Sequence, residues 1–268
     1  MTHMIFYRHP DLPFLEAKHC LADDLAYHKH FHEEYSVGLI EQGQTNAWCD
    51  GTTMLVEEGR MISFPPQMLH ACHPDQGLDW QYKMLFIQPQ WLQGLEQREL
   101  EAVHIPYLLS AGKNEACRLH IRQIMQQLRQ QADALTIESG LIELLQTLTG
   151  SESGDISHGR SHRQDHKYIG RVREYLNAHF NEKITLAQLE QEVGISRFHL
   201  IRLFKQWNHL PPHRYQNVLR INYAKTELAR QRPIADIAAE AGFYDQSHLT
   251  RLFIRMVGVT PGKYSLSV

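Results

Sequence analysis

The sequence predicts a multi-domain α+β protein: an antiparallel β domain with trailing helices, then an all-α domain with two helix-turn-helix units joined by a long helix. Three observations lead there: charge is split along the chain, hydrophobic periodicity changes from strand-like to helical, and the helical part repeats itself. The chain has 268 residues, 43 % hydrophobic and 21 % charged, a globular composition that excludes disordered and fibrous classes. Its start, Met1 to Pro10, lacks a basic segment followed by an apolar run, and no stretch approaches the roughly 18 apolar residues of a spanning helix. A cytoplasmic location and no membrane partner are therefore expected. Cys20, Cys49, Cys72 and Cys117 form no CxxC pair and read as reduced thiols.

Up to Arg160 the chain carries eleven Lys and Arg against twenty-one Asp and Glu; beyond it, sixteen face nine. A basic half suits a polyanion, because neutralising phosphates drives nucleic-acid binding, and an acidic half avoids one.

Upstream of Ile87, runs rich in β-branched and aromatic residues (Tyr35 to Ile40, Met61 to Phe64, Trp80 to Phe86) alternate with turn signals such as Cys49-Asp50-Gly51 and Pro65-Pro66. They predict a small antiparallel β domain over residues 1–112. Cys117, Ile121, Ile124, Met125 and Leu128 recur at helical spacing, as do Ile137, Leu141, Leu144, Leu145 and Leu148, so two amphipathic helices fill 113–149. Residues 150–166, mostly Gly, Ser and charge, read as a flexible linker. The last domain is 167–268.

Within it, Ala187 to Gly194 matches Ala235 to Gly242 at an offset of 48. His199 to Phe204 matches His248 to Phe253 at 49, and Pro212-x-x-Tyr215 matches Pro261-x-x-Tyr264. Each copy reads as helix, Gly-containing turn, helix. The second helix of copy one buries Leu200, Leu203, Phe204 and Trp207, leaving Arg197, Phe198, Ile201, Arg202 and Lys205 outward. Copy two buries Leu249, Leu252, Phe253 and Met256 and exposes Gln246, Ser247, Thr250, Arg251 and Arg255. An exposed cationic face is often just a solvated one; two copies with Arg at the same register in a basic half point to double-stranded DNA instead. Arg202 and Arg251 are candidate base readers, with Phe198, Gln246 and Ser247 beside them, and Lys205 and Arg255 are candidate phosphate contacts.

From about Tyr168 onward the chain resembles the DNA-binding domain of the AraC/XylS transcriptional regulators, most closely at Gly242 to Phe253 followed by Gly258-Val259-Thr260-Pro261-Gly262-Lys263-Tyr264. The resemblance implies seven helices, with a connecting helix from about Pro212 to Gln231 setting two recognition helices into successive major grooves. Ser265 departs from the family's usual Arg.

The pattern His30-Phe31-His32, Gly43, Gly59, Pro65 and His70 resembles a cupin barrel. Cupin enzymes hold a metal with an HxH pair, a Glu on the same strand and a later His. Period two puts His30, His32 and Ser36 on one face, so Ser36 stands where the Glu would, and Gln67 replaces a usual Gly. Sensor domains of AraC type resemble cupins that have lost the metal and hold a small effector. No cofactor and no metal are therefore expected, and His30, His32, Ser36, Trp48, His70, Tyr82 and Met84 are the expected effector lining. The texture of His32 to Gly38 with His70-Ala71-Cys72-His73-Pro74 is similar to regulators associated with amino-acid exporters, which points to an amino acid. The function expected is a ligand-responsive transcriptional regulator whose partners are DNA, effector, RNA polymerase and a second copy through 113–149. The alternative is a metal-dependent cupin enzyme with a helical appendage, weakened by Ser36 and by the lack of a nucleophile-base pair.

Overall fold

The computed structural model describes residues 3–22, 27–75, 79–96, 111–149 and 163–266. Contacts divide the chain into two compact units, one holding all the strands and the first three helices, the other Tyr27–His30 and the remaining helices.

In the first unit, β1 (His3–Arg8), β2 (Leu15–Ala22), β3 (Tyr35–Gln42), β6 (Met61–Phe64) and β8 (Trp80–Ile87) form a five-stranded antiparallel sheet in the order β1-β2-β8-β3-β6. The strands β4 (Thr45–Cys49), β5 (Thr52–Val56) and β7 (His70–Pro74) form a second sheet, β5-β4-β7. The two sheets meet through Phe64, whose ring stacks on His70 at 3.9 Å. Register separates the two faces of the large sheet, since residues directly opposite each other point the same way. Ser36 pairs with Phe64 and Phe86, and Lys18 with Phe6 and Met84, on the inner face. Ala17, Val37, Leu39 and Leu85 alternate with them onto the outer face.

That outer face is covered. Helix α1 (Pro89–Glu96) follows β8, and α2 (Ala111–Arg129) and α3 (Ala134–Thr149) lay the two expected stripes, Cys117 to Leu128 and Ile137 to Leu148, into one buried cluster with Leu15, Val37, Leu39, Leu85 and Ile87. Asn114 anchors the start of α2: its amide donates to the Gly59 carbonyl at 2.7 Å and its oxygen accepts from the Met61 N–H at 3.2 Å.

In the second unit, seven helices run α4 (Arg163–Ala178), α5 (Leu186–Val193), α6 (Arg197–Asn208), α7 (Pro212–Ala229), α8 (Ile234–Glu240), α9 (Gln246–Val257) and α10 (Pro261–Leu266). Helix α4 begins inside the expected linker, because Arg163 to His166 contains neither Gly nor Pro and continues a helical run; residues 150–162 lie outside the described residues. Both repeats are built alike. Ser196 caps α6 by accepting from the His199 N–H, and Asp245 caps α9 by accepting from the His248 N–H. Phe204 meets Tyr215 edge-on at 5.5 Å, as Phe253 meets Tyr264 at 5.4 Å.

Helix α7 is the brace. Its apolar side packs against α6 on one flank and α8 and α9 on the other, while its buried polar residues grip the turn after α4. Gln216 Nε2 donates to the Phe180 and Glu182 carbonyls at 2.9 and 2.8 Å, and the Arg220 guanidinium donates to the same two at 2.8 Å. Ser265 uses its hydroxyl to bond the Leu228 carbonyl at 3.1 Å, tying α10 to the end of α7.

Candidate DNA-binding surface and effector site

The two recognition helices are α6 and α9. In α6, Leu200, Leu203 and Phe204 are buried, Trp207 and Ile201 half-buried, and Arg202 and Lys205 exposed. Arg197 and Phe198 open the helix, and their side chains lie outside what the structure describes. In α9, Leu249 and Phe253 are buried, whereas Gln246, Ser247, Arg251 and Arg255 are exposed. Thr250 is half-buried and donates its hydroxyl to the Gln246 carbonyl at 2.8 Å. Tyr244, 93 % exposed in the turn before α9, is an outward aromatic that sequence reasoning does not single out, although Phe243 beside it already supplies the apolar anchor of that turn.

Several cations of this unit are held in ion pairs and others are not. Arg171 pairs with Glu192, Arg230 with Glu227, and Arg232 with both Glu227 and Glu240. Hydrogen bonds from Arg232 and Tyr223 hold the Glu240 carboxyl down at about 2. These charges lock helices to one another. Among the described residues, Arg202, Lys205, Arg251 and Arg255 enter no ion pair, so their charge is left for an external anion.

In the β domain the structure brings His32 and His70 together, whereas His30 falls in the second compact unit. The expected route is corrected, because His30 and His32 precede β3 rather than lie on it. The turn between β6 and β7 closes the group, with the Gln67 N–H donating to the His32 carbonyl at 2.8 Å. Gln67 stands where the resemblance expects Gly and adopts a left-handed φ of 61°, the conformation a Gly would take without strain. The rings of His32 and His70 lie 5.0 Å apart, His32 meets Phe86 edge-on at 5.1 Å, and His70 is buried, which pushes its pKa down to about 4 against the Met68 carbonyl bond.

Ser36, fully buried, shares the inner face with Phe64 and Phe86, the rings that touch His70 and His32. Its hydroxyl has no hydrogen-bond partner among the described residues. Tyr82 and Met84 continue the same face along β8. Trp48 does not join them: Cys49 is the partner of His70 and Trp48 that of Ala71, so alternation turns Trp48 to the opposite face of its sheet. Sequence reasoning misses Lys18, 5 % exposed on the inner face with its ammonium over the Phe6 ring at 5.6 Å and the Tyr82 ring at 5.4 Å. The sequence carries no signal for it, because only the pairing of β2 with β1 and β8 shows which way it points.

On the outer face, Glu41 bonds Lys83 and Arg122. Burial opposes its ionisation, but the hydrogen bonds and charge of those two cations prevail and hold it at about 2. Lys83 and Arg122 also line a cleft of about 520 Å³ with His19 and Arg129, away from every expected effector residue. No described helix is long and apolar enough to cross a membrane.

Comparison with known proteins agrees with both halves. Residues 189–266 match a family described as a helix-turn-helix domain, and residues 20–145 one described as an AraC-like ligand binding domain. The chain is 30 % identical over 225 residues to the uncharacterized HTH-type transcriptional regulator YbfI of Bacillus subtilis (strain 168), a match spanning 82 % of this chain and 80 % of that one. YdeC of the same organism is 23 % identical over 248 residues, 88 % of this chain and 84 % of its own. Among solved structures, ToxT from Vibrio cholerae O395 has the same fold, with a TM-score of 0.54 at 12 % identity over 99 % of this chain and 97 % of that one. The unsaturated fatty acid-bound ToxT of strain SCE256 scores 0.55 at 14 %, over 100 % of this chain and 95 % of its own. A duplicated helix-turn-helix beside a β domain of this kind, in a chain so related, makes this a member of the AraC/XylS family: a transcriptional regulator with ligand-binding and DNA-binding domains, and not an enzyme.

Proposed function

We propose that the protein senses a small carboxylate-bearing effector, such as an amino acid, inside its barrel and thereby changes how its two helix-turn-helix units engage promoter DNA and RNA polymerase. It acts in the cytoplasm as a homodimer. The observation that carries the sensor reading is the interior of the β domain, where His32 and His70 meet Phe86 and Phe64 and the inner face of the large sheet adds Ser36, Lys18, Tyr82 and Met84. The buried Lys18 ammonium favours an anionic group. ToxT has been solved with an unsaturated fatty acid, also a carboxylate, which makes fatty acids the natural comparison set.

On the DNA side, Arg202 and Arg251 read bases with Phe198, Gln246 and Ser247 beside them, while Lys205 and Arg255 hold phosphates. Arg197, Ile201 and Thr250 complete the two faces. Effector binding shifts the balance between conformers of different operator affinity.

The test is to map bound promoters, then measure operator binding and transcription with purified full-length protein against panels of amino acids and fatty acids. A carboxylate that changes either readout, and fails to do so in a His70→Ala variant that still binds DNA, is the expected result. Regulation unchanged by every member of both panels would overturn the reading.

A further inference from the structure

We propose that the cleft between α2 and the outer face of β1, β2 and β8 is a ligand site apart from the barrel interior, taking a small dianion such as a phosphate monoester or a dicarboxylate. All of it lies within the β domain, and it does not rest on the sensor reading.

Strand register builds one wall. Tyr7 stands opposite Ala17 and His19 opposite Lys83, so these residues share the outer face that carries Val37 and Leu85. Helix spacing builds the other wall, because Arg122, Met125, Gln126 and Arg129 recur at intervals of three and four along α2, with Gln130 just after it. The buried stripe of Cys117 to Leu128 joins Leu39 and Leu85 in the core, whereas His19 and Lys83 continue the sheet face with polar groups. Above them a space of about 520 Å³ stays open, within the range of small-molecule sites.

Charge decides what fits there. In a half of the chain where carboxylates outnumber cations, Lys83, Arg122 and Arg129 converge on this cleft. Glu41 neutralises one of them: it accepts from both Lys83 and Arg122 and, held at about 2, stays ionised. Glu115 also acts on Arg122 but is itself paired with Arg118 at 2.9 Å. Arg129 is exposed and enters no ion pair among the described residues. His19 adds no charge at neutral pH, since burial and then the charge of Lys83 lower its pKa below the ordinary 6.5, against the opposing charge of Glu41. Three cations against one carboxylate leave two positive charges, which a dianion matches.

The donors agree with that choice. A guanidinium presents a planar fork that suits carboxylate and phosphoryl oxygens. Gln81 Nε2 donates to His19 Nε2 at 2.8 Å, so the neutral ring carries its proton on Nδ1 and remains a donor. Met125 and the Tyr7 ring supply apolar surface for the carbon part of the ligand.

Isothermal titration calorimetry on full-length protein at low ionic strength tests the site with glucose 6-phosphate and succinate, and with glucose as the uncharged control. One site per chain is expected for at least one dianion and none for glucose. Arg129→Gln should weaken binding about five-fold and Arg129→Glu abolish it, while Glu41→Gln, which releases Lys83 and Arg122, should tighten it. Binding of glucose 6-phosphate alone assigns a phosphoryl ligand, and of succinate alone a dicarboxylate. Equal affinity in the wild type and Arg129→Glu places the anion elsewhere, the recognition helices included, and overturns the site, as does the absence of binding by either dianion. A Glu41→Gln protein that is folded by circular dichroism and binds no more tightly overturns charge as the basis of recognition.

Discussion

The carbonyl of Asn181 occupies the space into which a side chain on Gly242 would grow: a Cβ built there lies 2.0 Å from that oxygen. Its counterpart in the first repeat, Gly194, shares the left-handed backbone, with φ of 74° against 76°, but has open space around it. The two glycines therefore differ in what replaces them. Gly194→Ala should cost about 1–2 kcal/mol, the left-handed penalty alone. Gly242→Ala should cost about 3–5 kcal/mol, because the turn after α4 must move as well. Denaturant unfolding of the two variants measures the difference, and equal losses would contradict it.

Lys205 and Arg251 should separate by salt and by sequence. Lys205→Ala is expected to weaken binding evenly across operators and to lower the salt slope by about one counterion, since a phosphate contact carries no base information. Arg202→Ala and Arg251→Ala should each cost about 1–3 kcal/mol and relax preference at one position, in two adjacent grooves. Selection from randomised DNA is the measurement. Weakened binding with an unchanged preferred sequence would make both arginines backbone clamps.

Glu41 links stability to acid. Its folded-state pKa of about 2 lies below the ordinary 4.5, so its ionised form stabilises the β domain at neutral pH. That contribution is complete above about 4.5 and fades as pH falls toward 2. Glu41→Gln should lower stability by about 1–3 kcal/mol at pH 7, because it leaves Lys83 and Arg122 without their shared partner in a half-buried setting. The deficit should shrink as the wild type is taken from pH 5 to pH 2. A deficit constant across that range in thermal melts would show that the carboxylate charge contributes nothing.

Burial pushes the thiols of Cys49 and Cys72 up to about 12. At pH 8 only about one in ten thousand of each is thiolate, so the fully buried Cys49 should resist iodoacetamide in the folded protein and react once it is denatured, while the half-buried Cys72 should label faster than Cys49. Mass mapping of labelled peptides distinguishes the two states; rapid labelling of Cys49 in native protein would refute its burial.

Legibility followed periodicity and failed where side-chain chemistry broke it. The repeat exposed α5, α6, α8, α9 and α10 because two copies of Leu200 and Phe204 must bury against two copies of Tyr215, and β6 is read to the residue at Met61 and Phe64. The strands β1 and β2 were not visible: Lys18 and His19 interrupt the apolar alternation of Leu15–Ala22, and only pairing with Met84 and Lys83 shows which way each points. Period two puts His30 and His32 on one strand with Ser36, but both precede β3, and the turn at Gln67 meets His32 through its backbone instead. Trp48 was lost to a one-residue difference in face, which strand pairing alone decides.

The central strands β3 and β8 form a wall with both surfaces in use. Ser36 and Phe86 look toward the imidazoles, while their immediate neighbours Val37 and Leu85 carry the apolar weight of α2 and α3. Close-packed interiors transmit strain rather than absorb it. Anything that displaces Ser36 or Phe86 by a fraction of an ångström must move the backbone that bears Val37 and Leu85, and the helices resting on them follow. On the proposed sensor reading, a ligand held in the barrel would be felt on its far side mechanically, through a single layer of backbone.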